Sequence, residues 1–257
     1  MLKSYAIGTI VLSTALFGLN YLSNAKDPSS QTVKVLYQPN GTEASITGRV
    51  SLNGDPPTPK PIDTSADPIC TQTNPRLMTE DVVANSGNLA NVFVYVESGE
   101  ALDRYSFSQP TSLAMLERKG CRYEPRVLGL RTGQELAIRN SDLTLHNTHP
   151  QPKTNREWNQ TQPAGVTMTW KFEEPETLIP FKCNQHPWEK AFVGVFSHPF
   201  FAVTDEQGGY RIEGLPPGNY KLVVWHERFG TKTLELNISA RETRIADFSF
   251  DAADNQD

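Results

Sequence analysis

The sequence predicts an all-β protein, a sandwich or barrel of many short strands, and three observations predict it. Alternating or β-branched and aromatic runs recur along the chain; turn residues separate them, with Gly 17 and Pro 19 among 257 residues; and only 111–119 has the look of a short helix. The length allows one large or two modest domains, at roughly 100–200 residues each. A formal net charge of −5 leaves no basic field for nucleic acid, which excludes that class of partner.

The amino-terminus reads Met1-Leu2-Lys3, an uncharged and largely apolar run from Tyr5 to Leu22, then Ser23-Asn24-Ala25 ahead of the first acid, Asp27. A cation, an apolar stretch and small residues are the order of a secretory signal. Residues 1–25 are therefore read as a signal peptide, with an uncleaved anchor as the alternative, because the run is close to the about 20 residues that span a bilayer. The rest of the chain is expected in the periplasm or another extracytoplasmic space, touching a membrane only through that segment if it is uncleaved. Residues 26–44 are polar and aperiodic and read as a flexible tether.

Residues 45–52 alternate as a half-buried strand does, and Asn53-Gly54-Asp55-Pro56-Pro57 stops them. Several prolines and few large apolar groups make 56–80 an ordered loop, and 91–96 is the next strand, rich in Val and aromatics. Further strands are expected at 126–130, 134–139, 166–172, 177–181 and 191–196, then at 200–204, 209–212, 220–225, 231–238 and 243–250.

Gly48-Arg49-Val50, together with Thr204 to Ile212 and Leu215-Pro216-Pro217-Gly218-Asn219-Tyr220, resembles carboxypeptidase regulatory-like (transthyretin-like) sandwiches. That resemblance covers 45–105 plus 197–251 and implies a small β-sandwich without catalytic residues. Residues 106–196 between the halves carry the chemistry. Asn140-Ser141-Asp142 leads to His146-Asn147 and His149, and Phe181-Lys182-Cys183-Asn184-Gln185-His186-Pro187-Trp188-Glu189 follows a strand. A metal that cycles between Cu(I) and Cu(II) needs a soft thiolate and imidazoles on a rigid frame. With Tyr123-Glu124-Pro125 and Gly133-Gln134-Glu135-Leu136, these segments resemble the cupredoxins, the plastocyanin and azurin superfamily.

The resemblance implies a Greek-key β-sandwich of cupredoxin type, inserted in or packed with the transthyretin-like one, and a copper cofactor held by His146, Cys183 and His186. Cupredoxins usually place a Met soon after the second His as axial ligand; this chain has Glu189 there, and none of its four Met residues follows His186. Glu189 or His149 is the candidate axial ligand. A carboxylate is harder than a thioether, so it would favour Cu(II), lower the potential and move the colour away from intense blue. Three cysteines in an exported chain leave one thiol over. Pairing Cys70 with Cys121 staples the Pro-rich loop to the second unit and leaves Cys183 for the metal; pairing Cys183 with either is the alternative.

The expected task is single-electron transfer with a redox partner protein, such as a cytochrome, docking around Pro187 and Trp188. The alternatives are a copper-binding protein without redox duty and a metal-free carbohydrate- or protein-binding sandwich. No Gly-x-Ser-x-Gly elbow, phosphate loop or His-Glu-x-x-His helix occurs, so an enzyme is not expected. His198 and His226 are read as structural.

Overall fold

Successive side chains leave a strand on opposite faces, and in the strand Phe93–Gly99 both faces are covered. Val94 and Val96 enter one core with Ile46, Val50, Leu222 and Val224. Phe93 and Tyr95 enter another with Val127, Phe196 and Val223. A strand buried on both sides needs an unbroken apolar run, which is what the sequence carries there. Gly218–His226 repeats the pattern: Tyr220, Leu222 and Val224 face the first core, and Val223 and Trp225 the second.

A computed structural model describes Met1, Leu2 and residues 33–254. The segment read as a signal or anchor, beyond its first two residues, and residues 26–32 of the tether lie outside the described residues. The fold is a nearly all-β pair of sandwiches. In the first, the sheet Phe201–Val203, Phe93–Gly99, Gly218–His226, Gly230–Ile238 covers a second sheet built on Ala44–Asn53. That strand pairs with Gly209–Leu215 and Asn88–Leu89, and in parallel with Thr243–Ile245 and Phe248–Asp251.

The other sandwich comes from the chain between those halves. One sheet is Thr167–Trp170, Leu136–Asn140, Ala114–Arg118, Tyr123–Glu124; its mate is Gln160–Gln162, His146–Pro150, Glu176–Lys182, Lys190–Phe196, Val127–Arg131. Leu116, Leu136, Ile138, Ile179, Phe181 and Val193 fill the space between them. The cluster of Phe93, Tyr95, Val127, Phe196 and Val223 joins the two sandwiches. Two glycines make that junction close: Gly129 and Gly194 are register partners. A Cβ on Gly129 would lie 2.4 Å from the Phe201 ring, and one on Gly194 2.8 Å from the Phe93 and Phe196 rings.

Most expected strands are present, and the departures have physical causes. Residues 111–119 are no helix: Ala114–Arg118 is a strand paired in parallel with Leu136–Asn140. Ala114, Leu116 and Arg118 are buried while Met115 is exposed, a period of two. The 243–250 run is broken because Asp247 Oδ1 accepts from the Arg49 amide at 2.8 Å, taking the place of a strand partner. The loop 56–80 contains a helical turn, Pro68–Thr73, capped by Asp67, whose Oδ1 accepts from the amides of Ile69 and Cys70. In the described part of the tether, Val35–Leu36 pairs with Tyr105–Ser106, and Glu43 accepts from Tyr37 Oη and the amides of Asn40 and Gly41. Among the described residues no helix is long and apolar enough to cross a membrane.

His198 and His226 are buried in the first sandwich, and the Nδ1 of each accepts a backbone N–H two residues on. Burial, reinforced by Arg131 near His198 and Arg126 near His226, pushes both down to about 4. The unfolded chain then binds protons below its ordinary value near 6.5, before the folded chain does, so stability rises with pH in that interval and is lost on acidification. Thermal unfolding followed from pH 7 to pH 4 is expected to show a falling Tm. His198→Asn and His226→Asn, which keep an acceptor but no titrating ring, should each flatten the fall by about 3 kcal/mol between the limits. A fall of equal depth in both variants would reject the assignment.

Candidate metal centre

Two loops at one end of the inserted sandwich converge. His146 opens the strand His146–Pro150, and Cys183 directly follows Glu176–Lys182, its antiparallel neighbour, with His149 opposite Lys182. Asn147 ties the loops together: its Oδ1 accepts from the Asn184 amide at 2.7 Å and from the Cys183 thiol at 3.4 Å. The Glu189 amide then donates to His186 O at 2.9 Å, closing a turn that brings both side chains back over Cys183.

The result is a buried group of His146, Cys183, His186 and Glu189, whose ligand atoms all lie within 4.8 Å of one another. Cys183 Sγ is 3.6 Å from His186 Nδ1 and 4.0 Å from His146 Nδ1, and the two Nδ1 atoms are 2.9 Å apart. Glu189 Oε1 is 2.9 Å from His146 Nδ1 and 3.3 Å from His186 Nδ1. A tetrahedral ion with bonds of about 2.0–2.3 Å separates its ligands by roughly 3.3–3.8 Å; the His186–Cys183 and His186–Glu189 separations of 3.6 and 3.3 Å lie in that range, and a small shift of His146 away from His186 and Glu189, each at 2.9 Å, and toward Cys183 at 4.0 Å would complete it. Among the described residues Glu189 Oε1 has no hydrogen-bond partner despite those short contacts. A buried carboxylate oxygen that faces two imidazole nitrogens and a sulfur without hydrogen-bond geometry fits a cation at their centre.

The imidazoles are held from behind. His146 Nε2–H donates to Asp142 Oδ2 at 3.1 Å, and His186 Nε2–H to Asp67 Oδ2 at 3.0 Å. A carboxylate accepts only, so in both rings Nε2 keeps a hydrogen, and Nδ1 is the nitrogen that would offer its lone pair inward once a metal displaced its proton. Asp142 is fixed by the amides of Gly120 and Cys121, and Asp67 by its helix cap and by Thr144 Oγ1. The expected disulfide is present between Cys70 and Cys121, and it joins the loop of Asp67 to the loop that fixes Asp142. Cys183 is left as a buried free thiol.

Burial opposes every charge here and is outweighed. It raises the Cys183 thiol, yet His146 and His186 together draw it below the ordinary cysteine range. It would lower His146, but Asp142, Cys183 and Glu189 lift that ring to about 10. His186, likewise opposed by burial, is lifted to about 9 by Cys183 and Glu189. Glu189, raised by burial, is held well below the usual carboxylate range by the two histidines and Arg118.

Of the residues singled out in the sequence, His146, Cys183, His186 and Glu189 come together. His149 does not: three residues along the strand from His146 it faces the other way, with Nδ1 on Asn184 Oδ1 at 3.0 Å and Nε2 on Glu157 Oε1 at 2.7 Å. Of the two candidates for an axial ligand, Glu189 is the one whose oxygen lies in this group. Sequence reading missed Asp67, Asp142 and Arg118. Arg118 carried a signal, an Arg two residues beyond Leu116 on the inward face of an alternating strand, which the helical reading of 111–119 hid. Asp67 had none, being 119 residues from its histidine.

Residues 184–251 match the family model of the carboxypeptidase regulatory-like domain. The match overlaps the second of the two segments expected to resemble this domain, 197–251, and begins within the loop that follows Cys183. Among solved structures, the copper-containing nitrite reductase from Thermus scotoductus SA-01 is similar at 16% identity over 35% of this chain, with a TM-score of 0.32. This chain covers 23% of that reductase. A purple cupredoxin from Nitrosopumilus maritimus is similar at 21% identity over 32% of this chain and 98% of its own, with a TM-score of 0.28. An amicyanin mutant in its Cu(I) form is similar at 18% identity over 41% of this chain and 98% of its own, with a TM-score of 0.30. Comparison with curated proteins finds no sequence match.

The carboxylates behind the imidazoles set their orientation and basicity. Asp142→Asn is expected to weaken binding of a divalent metal by roughly 10- to 100-fold, read by competition with a chromophoric chelator, with the fold intact by circular dichroism. Unchanged affinity would separate Asp142 from the centre.

Proposed function

We propose that this chain is an exported copper protein that carries single electrons through a mononuclear centre of His146, Cys183, His186 and Glu189. The observation that carries the reading is the convergence of two imidazoles, a thiol and an unbonded carboxylate oxygen in a site closed to solvent, with His146 and Glu189 fully buried. A copper ion held there would supply a Cu(II)/Cu(I) couple, for which thiolate and imidazole are suited ligands.

The four side chains do the rest. Four protein donors leave no open position for a substrate, as in sites that hold rather than transform. Asp67, Asp142 and the disulfide keep both imidazoles from rotating, so that little has to move when the charge changes. The Cys70–Cys121 bridge also suits an oxidising, extracytoplasmic compartment.

Electron entry falls to the His186 loop. The Trp188 ring lies 5.1 Å from the His186 ring, half-buried, and its Nε1 donates to Cys121 O at 3.0 Å. Exposed Pro187 and half-buried Trp188 line a cleft of ≈ 500 Å³ that also receives Arg122 and Arg126. A redox partner protein, of which a cytochrome is one kind, docks at this rim.

Titration of the metal-free chain with Cu(II) is expected to develop a thiolate-to-copper absorption band that Cys183→Ser abolishes and His149→Ala keeps. Glu189→Met should raise the midpoint potential and move the band toward intense blue, since a thioether favours Cu(I). A spectrum that Cys183→Ser leaves untouched would return the chain to a metal-free binding sandwich.

A further inference from the structure

Among the described residues Arg118 is a cation buried beside this centre that the electron-carrier reading does not use. It is wholly buried at the end of Ala114–Arg118, in the sheet opposite the strands that carry the ligands. Its Nε donates to Glu189 Oε2 at 3.2 Å. Both terminal nitrogens are engaged as well: Nη1 donates to Gln162 Oε1 at 2.5 Å, and Nη2 to Asn147 O at 2.7 Å and to Tyr123 Oη. The group also lies over the Tyr123 ring, 4.2 Å from its centre. Gln162 is locked in turn by donating to Ile138 O and Val166 O, each at 2.8 Å.

So firm a clamp has two consequences for Glu189. With Oε2 engaged, the carboxylate cannot turn both oxygens inward, and Oε1 alone faces His146, His186 and Cys183. A guanidinium keeps its charge at any working pH, so the cluster always contains one fixed positive charge against the carboxylate and the thiolate. Two anions around a copper ion favour Cu(II), and they would resist the added electron because reduction leaves a net negative charge in a buried site. A fixed cation on the far oxygen relieves that resistance.

Resting on the copper reading, we propose that Arg118 is a positioning residue for the metal centre: it makes Glu189 a one-oxygen ligand, and its charge keeps the reduced state accessible. With copper bound, the couple it would tune is Cu(II) plus one electron giving Cu(I), the electron supplied by the partner protein and, in the test, by an electrode or dithionite through a dye mediator.

The test uses the full chain loaded with Cu(II) and reads midpoint potential, absorption and electron paramagnetic resonance. Arg118→Gln is expected to move the ratio of Cu(I) to Cu(II) affinity at least tenfold toward Cu(II), which for a one-electron couple is a fall of about 59 mV, and to shift the thiolate band. Arg118→Lys keeps the charge and loses the fork, so its affinity ratio should stay within about twofold of the parent while the band and copper hyperfine splitting move. The Lys variant decides the matter if the Gln variant does not fold. Either variant loaded with copper and unchanged in both potential and spectrum would overturn the proposal. A parent chain that develops no thiolate band would instead remove the copper reading itself, and that outcome is seen before any substitution is made.

Discussion

A carboxylate taken out of water must be met by opposite charge or hydrogen bonds, and Glu189, with no solvent exposure, organises its surroundings around that requirement. One oxygen is answered by Arg118 from the opposite sheet. The other is answered by no hydrogen bond among the described residues and faces two imidazoles. Everything else at this end of the sandwich keeps those groups where they are.

The imidazoles show how little freedom is left. Each is bonded at Nε2 to an aspartate, and each aspartate is bonded to backbone amides of loops that the Cys70–Cys121 disulfide ties together. The disulfide therefore acts on the centre without supplying an atom to it. Closing a loop across 51 residues also removes unfolded-chain entropy worth about 4 kcal/mol on the chain-entropy account, which suits a segment, 56–80, that has few large apolar groups of its own.

The two sandwiches are joined by an aromatic layer rather than by a linker. Phe93 stacks on Phe196 and Tyr95 meets the same ring at a tilt, and Gly129 and Gly194 make room for this layer. Strands such as Lys190–Phe196 consequently serve three tasks. Ala191, Val193 and Val195 fill the inner core, Phe192 and Phe196 face the junction, and Glu189 stands immediately before its start. A single strand thus connects the centre to the junction with the first sandwich.

Local patterning was legible wherever burial follows period two with turn residues between, and this determined the all-β class and most strands. The Cys-x-x-His spacing, the parity of the cysteines and the Glu in place of a Met pointed to the four side chains that meet. Side-chain direction and long-range pairing were not legible, because they depend on register. His146 and His149 are equally good imidazoles in sequence, and only an odd step along a paired strand turns one inward and the other out. Asp67, Asp142 and Arg118 are ordinary charged residues until folding removes water from them. Tertiary structure alone decided their roles, since a charge acquires a partner only when the fold leaves it nothing else to bind.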